Sequence, residues 1–165
     1  MQENIIITQA NIADIERLHE IEQQCFPPEK AAGRDAFEYR LKNFPQWFLK
    51  AEVGGVIAGL IDGSRSDRLY ITDDLYDEGS AFSDKGDNLL IYGLAVAPEF
   101  RHRKIAHRLM AAILDKARGE KLSHVSLTCK ESLIPFYEGF GYTNHGISET
   151  VKGDVVSYDM EINFT

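Results

Sequence analysis

Leu94-Ala95-Val96-Ala97-Pro98-Glu99-Phe100-Arg101-His102-Arg103-Lys104-Ile105-Ala106 is the most informative stretch of this chain. It reads as the end of a strand, a turn begun by Pro98, and the opening of a helix. The strand covers residues 89–96. The helix starts near His102, carries Ile105, Leu109, Ala112 and Ile113 on one face, and ends at Gly119. Arg101, Arg103, Lys104 and Arg108 gather positive charge at its start. A helix N-terminus presents unpaired N–H groups and a partial positive charge. Donors and cations together suit a phosphate. The small Ala106 would let an anion approach the backbone closely. The competing reading is a solvated basic turn ahead of an ordinary amphipathic helix.

Working outward, residues 5–8 are a β-branched run and read as a strand. A helix follows, capped by Asn11 or Asp14, with Ile12, Ile15, Leu18 and Ile21 as its apolar stripe down to about Gln24. Phe26-Pro27-Pro28 breaks it. A second helix covers residues 34–43, uses Phe37 and Leu41, and is ended by Pro45. Strands over residues 47–52 and 56–61 flank Gly54-Gly55, a hairpin signal. Residues 62–87 are polar and acidic and read as a long loop, with one helical turn at Asp73-Asp74-Leu75-Tyr76. Downstream of the central stretch, residues 124–128 read as a strand and 132–138 as a short helix with Pro135 in its first turn. Gly139 and Gly141 mark a turn around Phe140. Residues 155–162 alternate and close the chain as a strand. The order β-α-α-β-β-loop-β-α-β-α-β-β implies an α/β fold, a mixed sheet with helices on its faces.

The whole chain has 165 residues, with 18 Lys+Arg against 26 Asp+Glu, a net charge of −8. Apolar residues make up 44% and charged residues 27%, the proportions of an ordinary globular protein. One domain spanning residues 1–165 is the expectation. Disorder and collagen are excluded by composition, and no apolar run approaches the roughly 20 residues of a membrane span. The N-terminus has no basic n-region and only Ile5-Ile6-Ile7 as an apolar run, so no signal peptide is expected. Cys25 and Cys129 are too few for a disulfide framework; reduced thiols and a cytoplasmic location follow. The acidic total argues against nucleic-acid binding. It is compatible with a cationic substrate. Its distribution is uneven: base gathers at Arg101–Arg108, acid over residues 62–87.

A second stretch carries chemistry: Leu127-Thr128-Cys129-Lys130-Glu131-Ser132-Leu133-Ile134-Pro135-Phe136-Tyr137-Glu138-Gly139-Phe140-Gly141-Tyr142. Taken together, the two stretches resemble the GNAT superfamily of acyl-CoA-dependent N-acyltransferases. Arg101 to Ala106 is similar to its Arg/Gln-x-x-Gly-x-Gly/Ala pyrophosphate motif. Phe136 to Tyr142 is similar to its Tyr-Glu-x-x-Gly-Phe segment. Within the superfamily, Leu94-Ala95-Val96 and the run from Cys129 to Tyr137 resemble the serotonin (arylalkylamine) N-acetyltransferase branch. The two motifs stand in the family's order, about thirty residues apart.

The resemblance implies a sheet of six to seven strands, helices on both faces and a splayed strand pair at the cosubstrate. It implies acetyl-CoA as cosubstrate, no metal, and a monomer or homodimer. Leu94, Ala95 and Val96 would pair with the pantetheine arm. The amides from His102 through Arg103, Lys104, Ile105 and Ala106 to His107 would hold the pyrophosphate, with Arg101 and Arg103 as charge partners. Lys130 and Phe136 would line the cofactor. Tyr137 would protonate the departing thiolate after a free amine attacks the thioester and a tetrahedral oxyanion forms. Two departures stand out. The motif glycine is Lys104 here, and a lysine there needs φ < 0 or a side chain turned away. The two histidines of the arylalkylamine branch are Leu90 and Tyr92 here; Tyr92 would hold a proton-relaying water, or is simply an aromatic of the strand. His145 and the acidic loop supply other candidate bases. On the acceptor side, Phe26 and Pro28 would wall an apolar pocket and Glu29 would attract an ammonium, or all three would simply end the first helix. The implied activity is acetyl transfer to a primary amine of a small molecule. The alternatives are acetylation of a protein N-terminus or lysine, and a CoA-binding module without turnover.

Overall fold

The computed structural model describes residues 4–28, 31–72, 85–149 and 156–164. Glu29, the helical turn expected at Asp73-Asp74-Leu75-Tyr76, and Val155 lie outside them. The elements are β1 (Ile5–Gln9), α1 (Ile15–Cys25), α2 (Arg34–Asn43), β2 (Phe48–Val53), β3 (Val56–Ser66), β4 (Asn88–Val96), α3 (Ile105–Gly119), β5 (His124–Lys130), α4 (Ile134–Glu138), β6 (Thr143–Ile147) and β7 (Ser157–Asn163). Their order is the one read from the sequence. The strands form a seven-stranded sheet in the order β1-β2-β3-β4-β5-β7-β6. It is mixed: β4 and β5 are parallel, while β1–β2, β2–β3, β5–β7 and β6–β7 are antiparallel. The fold is thus the α/β arrangement expected.

The chain divides into two compact units. The first is Met1–Asp62 with Gly93–Leu114. Here Asn11 caps a short 3-10 turn, Ile12–Asp14, through a reciprocal capping box before α1 begins. Ile15, Leu18 and Ile21 are buried as the stripe requires, but Ile12 is 45% exposed, because it belongs to the 3-10 turn rather than to α1. Gly54 and Gly55 take φ of 58° and 80°, the left-handed pair that a tight β2–β3 hairpin demands. Trp47, expected in the strand, ends a 3-10 turn instead and is fully buried. Leu18, Ile21, Ala36, Phe37 and Leu41 of the helices pack over Phe48, Leu60 and Ala95 of the strands. Neighbouring residues of a strand point to opposite faces. A Cβ on Gly59 would meet Ile105 and Leu109 of α3, each at 3.3 Å. Within this unit α1 and α2 therefore cover the Leu60 face and the start of α3 the other.

β3 corrects the reading of residues 62–87 as loop. The strand continues through Asp62 to Ser66. Asp62 is buried and pairs with buried Arg40 of α2, Nη1 to Oδ2 at 2.8 Å. Polar residues stay in this strand because each finds a partner inside.

The second unit is Gly63–Tyr92 with Asp115–Thr165. Gly63 is required by space: a Cβ there would stand 2.3 Å from the Leu90 carbonyl. Ser64 Oγ and Tyr92 Oη share a hydrogen bond of 2.7 Å. The β4–β5 ladder joins Asn88, Leu89 and Leu90 to His124, Val125 and Ser126. Among the described residues it ends there, although both strands run on. β5 pairs with β7 over seven residues, and β6 closes on β7. Along β7, Glu161 gathers a polar network. Its Oε1 meets His124 Nε2 at 2.9 Å, its Oε2 meets His145 Nδ1 at 2.8 Å, and Tyr70 Oη donates to it at 3.2 Å. Tyr70 stacks on His145 with ring centroids 4.4 Å apart. Burial, with the Glu161 charge beside it, pushes the Tyr70 phenol up to about 12.

Burial alone would raise the Glu161 carboxyl, but the bonds from His124 and Tyr70 and the charge of His145 outweigh it and hold the carboxyl below its ordinary value. A depressed carboxylate stabilises the fold above its unfolded pKa of about 4.3 and loses that contribution as pH falls through the native value. Glu161→Gln is expected to cost about 1–3 kcal/mol at pH 7. The gap from wild type should close in acid, as read by urea denaturation at pH 7 and pH 3.

Candidate active site

In the first unit β4 ends through Leu94 and Val96, both half-buried, with Ala95 buried between them. The Val96 carbonyl accepts Cys25 Sγ–H at 3.2 Å and Arg101 Nε–H at 3.4 Å. Arg101 Nη2 also reaches Cys25 Sγ at 3.6 Å. The last residue of α1 is thereby tied to the turn that follows β4.

The turn runs through a 3-10 segment, Pro98–Phe100, and then through two left-handed residues, His102 at φ 66° and Lys104 at φ 64°. Of the two alternatives for Lys104, φ < 0 is therefore not the one taken: its φ is positive and its side chain is exposed. Lys104 takes the conformation that glycine occupies in the family motif. A non-glycine residue held there is strained by roughly 1–2 kcal/mol. The physical reason is the tight change of direction between β4 and α3. It also moves the helix start from His102 to Ile105, with the Arg108 N–H to the Lys104 carbonyl at 3.0 Å closing the first turn. Left-handed residues interleaved with ordinary ones aim successive N–H groups to one concave side. The first helical turn adds amides that have no earlier turn to bond to.

Arg101, His102, Arg103, Lys104 and His107 are exposed, Ala106 is half-buried, and Ile105 anchors the turn in the core. The Arg103 guanidinium lies 5.3 Å over the Phe100 ring and donates to the Glu99 carbonyl at 3.5 Å. Arg108 Nη2 reaches the Ile5 carbonyl at 3.4 Å. The turn is thus a concave row of amides rimmed by cations, an arrangement suited to a polyphosphate.

Tyr137, in the second unit, is buried in α4. Its ring meets Phe136 and Tyr142 edge-on, with centroids 5.1 and 5.8 Å away. Burial raises the Tyr142 phenol well above its ordinary value. Phe136 is half-buried, and Lys130 is exposed at the end of β5. Burial pushes the Cys129 thiol up to about 11, which favours the protonated thiol over the thiolate. Tyr92 is buried and hydrogen-bonded to Ser64. His145 is engaged by Glu161.

On the acceptor side, Phe26 ends α1 half-buried against the first unit's core, and Pro28 is exposed. Sequence reading missed a buried trio in this unit: Glu22, Arg40 and Asp62. A signal existed for two of them. Glu22 stands four residues after Leu18, and Arg40 four after Ala36, so each falls on the apolar face of its helix.

A model of the acetyltransferase (GNAT) family matches residues 15–142. A curated relative, "Probable hydrolase YhcX" of Bacillus subtilis, is 26% identical over 99% of this chain, which spans 34% of that protein's length. Among solved structures, the loading GNATL domain of CurA from Lyngbya majuscula superposes with a TM-score of 0.84, at 14% identity, over 97% of this chain and 98% of that one. The PaiA N-acetyltransferase of Thermoplasma acidophilum, solved in complex with coenzyme A, gives a TM-score of 0.68 at 15% identity over 98% and 99%. At these identities the likeness is one of fold.

Relieving the left-handed strain gives a direct test of the turn. Lys104→Gly should raise the melting temperature by about 2–4 °C, and Lys104→Val should lower it, both read by thermal denaturation. Equal melting temperatures would mean that the turn holds no strain.

Proposed function

Because the chain belongs to the acetyltransferase (GNAT) family, we propose that it transfers the acetyl group of acetyl-CoA to the primary amine of a small molecule. The observation that carries this reading is the left-handed, base-rimmed turn from Arg101 to Lys104 at the exit of β4. Acetyl-CoA supplies an activated acetyl thioester. The amides from His102 to His107 hold its pyrophosphate, and Arg101 and Arg103 add charge. The backbone of Leu94, Ala95 and Val96 orients the pantetheine arm, with Lys130 and Phe136 as further cofactor contacts. Tyr137 gives its phenolic proton to the departing thiolate. Tyr137 is buried, with the Phe136 ring edge-on at 5.1 Å. Tyr92 holds a water near the attacking nitrogen. Phe26, Pro28 and Glu29 receive the acceptor. The likeness of the run from Cys129 to Tyr137 to the arylalkylamine branch, together with the acidic balance of the chain, favours a small cationic amine over a protein acceptor.

Calorimetry with acetyl-CoA tests the cosubstrate, and thiol release with a panel of primary amines and free-N-terminus peptides tests the acceptor. Acetylation of amines alone is the expected result; acetylation of peptides alone would make the acceptor a protein. Tyr137→Phe should lower turnover by about 100-fold and leave acetyl-CoA affinity within about twofold, since the hydroxyl acts on the departing sulfur rather than on the bound ground state. Undiminished turnover would remove Tyr137 from this role.

A further inference from the structure

Glu22, Arg40 and Asp62 are 5, 2 and 1% exposed. Arg40 Nη1 binds Asp62 Oδ2 at 2.8 Å, and Glu22 Oε2 accepts the Ala32 amide at 2.9 Å. Asp62 Oδ1 is equally buried and has no hydrogen-bond partner among the described residues. It is aimed at Gly93 of β4. A Cβ on that glycine would stand 3.2 Å from Asp62 Oδ1 and 3.7 Å from Glu22 Oε1. Gly93 itself is only half-buried. A buried acceptor left unmet is destabilising, more so when it is charged. The partner that Asp62 Oδ1 lacks is a hydrogen-bond donor, and a cationic donor bonds a carboxylate oxygen most strongly. A divalent cation fits poorly, because Arg40 already occupies the other carboxylate oxygen, and no group of three His, Cys, Asp or Glu side chains among the described residues is arranged to hold a metal.

Gly93 directly precedes Leu94-Ala95-Val96, the segment that holds the thioester arm in the reading above. One residue of strand is about 3.3 Å, so a nitrogen over Gly93 lies within reach of a carbonyl bound along that segment. We propose that Asp62 Oδ1, approached over Gly93, recognises the ammonium of the acceptor and takes the proton that the nitrogen must lose, Glu22 adding negative charge beside it; this rests on the acetyl-transfer reading. Burial raises the Asp62 carboxyl against the opposing pull of Arg40, the direction that suits a proton acceptor. The step balances. The ammonium gives one proton to Asp62, which passes it to solvent. The nitrogen forms a bond to the acetyl carbon, and the carbon–sulfur bond breaks. The sulfur takes the Tyr137 proton, which is replaced from the nitrogen's second proton by way of solvent.

Gly93→Ala tests this while keeping both charges of the Arg40–Asp62 pair, since its methyl would cover Asp62 Oδ1. Asp62→Asn removes the charge with little change of shape, and its melting temperature reports whether it still folds. The probes are n-propylamine and its neutral counterpart 1-propanol, titrated by NMR against the acetyl-CoA-free protein. Wild type should bind the amine in preference to the alcohol. Gly93→Ala, and Asp62→Asn if folded, should weaken amine binding by about tenfold or more. For any amine that is turned over, KM for the amine should rise by a similar factor while KM for acetyl-CoA stays within about twofold. Equal binding of amine and alcohol by wild type, or unchanged amine binding in Gly93→Ala, would overturn the proposal. The acetyl-transfer reading fails separately, by absence of acetyl-CoA binding, an outcome the propylamine titration does not depend on.

Discussion

The ion pair between Arg40 of α2 and Asp62 of β3 is the constraint around which the first unit is organised. Removing both charges from water costs several kcal/mol per ion. The 2.8 Å bond offsets part of that, and the Phe37 ring, 5.7 Å from the guanidinium, adds to it. Both groups lie deep within an apolar layer of Leu18, Ile21, Phe37, Leu41, Phe48 and Leu60. Were α2 rotated or β3 shifted by one residue, a charge would face hydrocarbon without a partner. The pair therefore selects one register for helix and strand. It also orients the carboxylate: with Oδ2 on Arg40, Oδ1 points to Gly93.

A second constraint sits at the other end of β4. The chain must turn sharply from strand to helix, and it does so through His102 and Lys104 in left-handed conformations. Local strain is accepted here because the neighbours fix the turn on both sides. Ile105 is anchored in the core, and Val96 is held by Cys25 and Arg101. Strain and amide convergence have one cause: the backbone torsions that disfavour a side chain also turn the N–H groups inward. The Lys104 side chain, exposed at this point, adds positive charge to a site where the family motif has none.

The second unit is arranged around a different charge. Glu161 serves His124, His145 and Tyr70 at once, and these contacts hold together a strand end, a loop and the β6 edge. Its residues account for His145, which had stood as a candidate base. An imidazole 2.8 Å from a carboxylate and stacked on a tyrosine has a structural task already.

What the sequence determined by itself was what neighbouring residues decide among themselves. Gly54-Gly55 between apolar runs specified a hairpin, residues 34–43 a helix with the bounds observed, and Pro98 the end of β4. The two motifs around Arg101 and Tyr137 identified the family, because phosphate binding at a strand–turn–helix junction needs its residues close together in the chain. Asp62, Glu22 and Arg40 were not legible in that way. An aspartate after an apolar run looks like the start of a loop until a buried arginine twenty-two residues earlier accounts for it. Lys104 was legible as a departure from the motif but its left-handed torsion was not, since backbone torsion there is set by the packing of Ile105 and the anchoring of Val96 rather than by the lysine's own preference. Only the tertiary structure decided these points, because the energy of a buried charge or a strained torsion depends on partners far away in sequence, and local pattern carries no record of them.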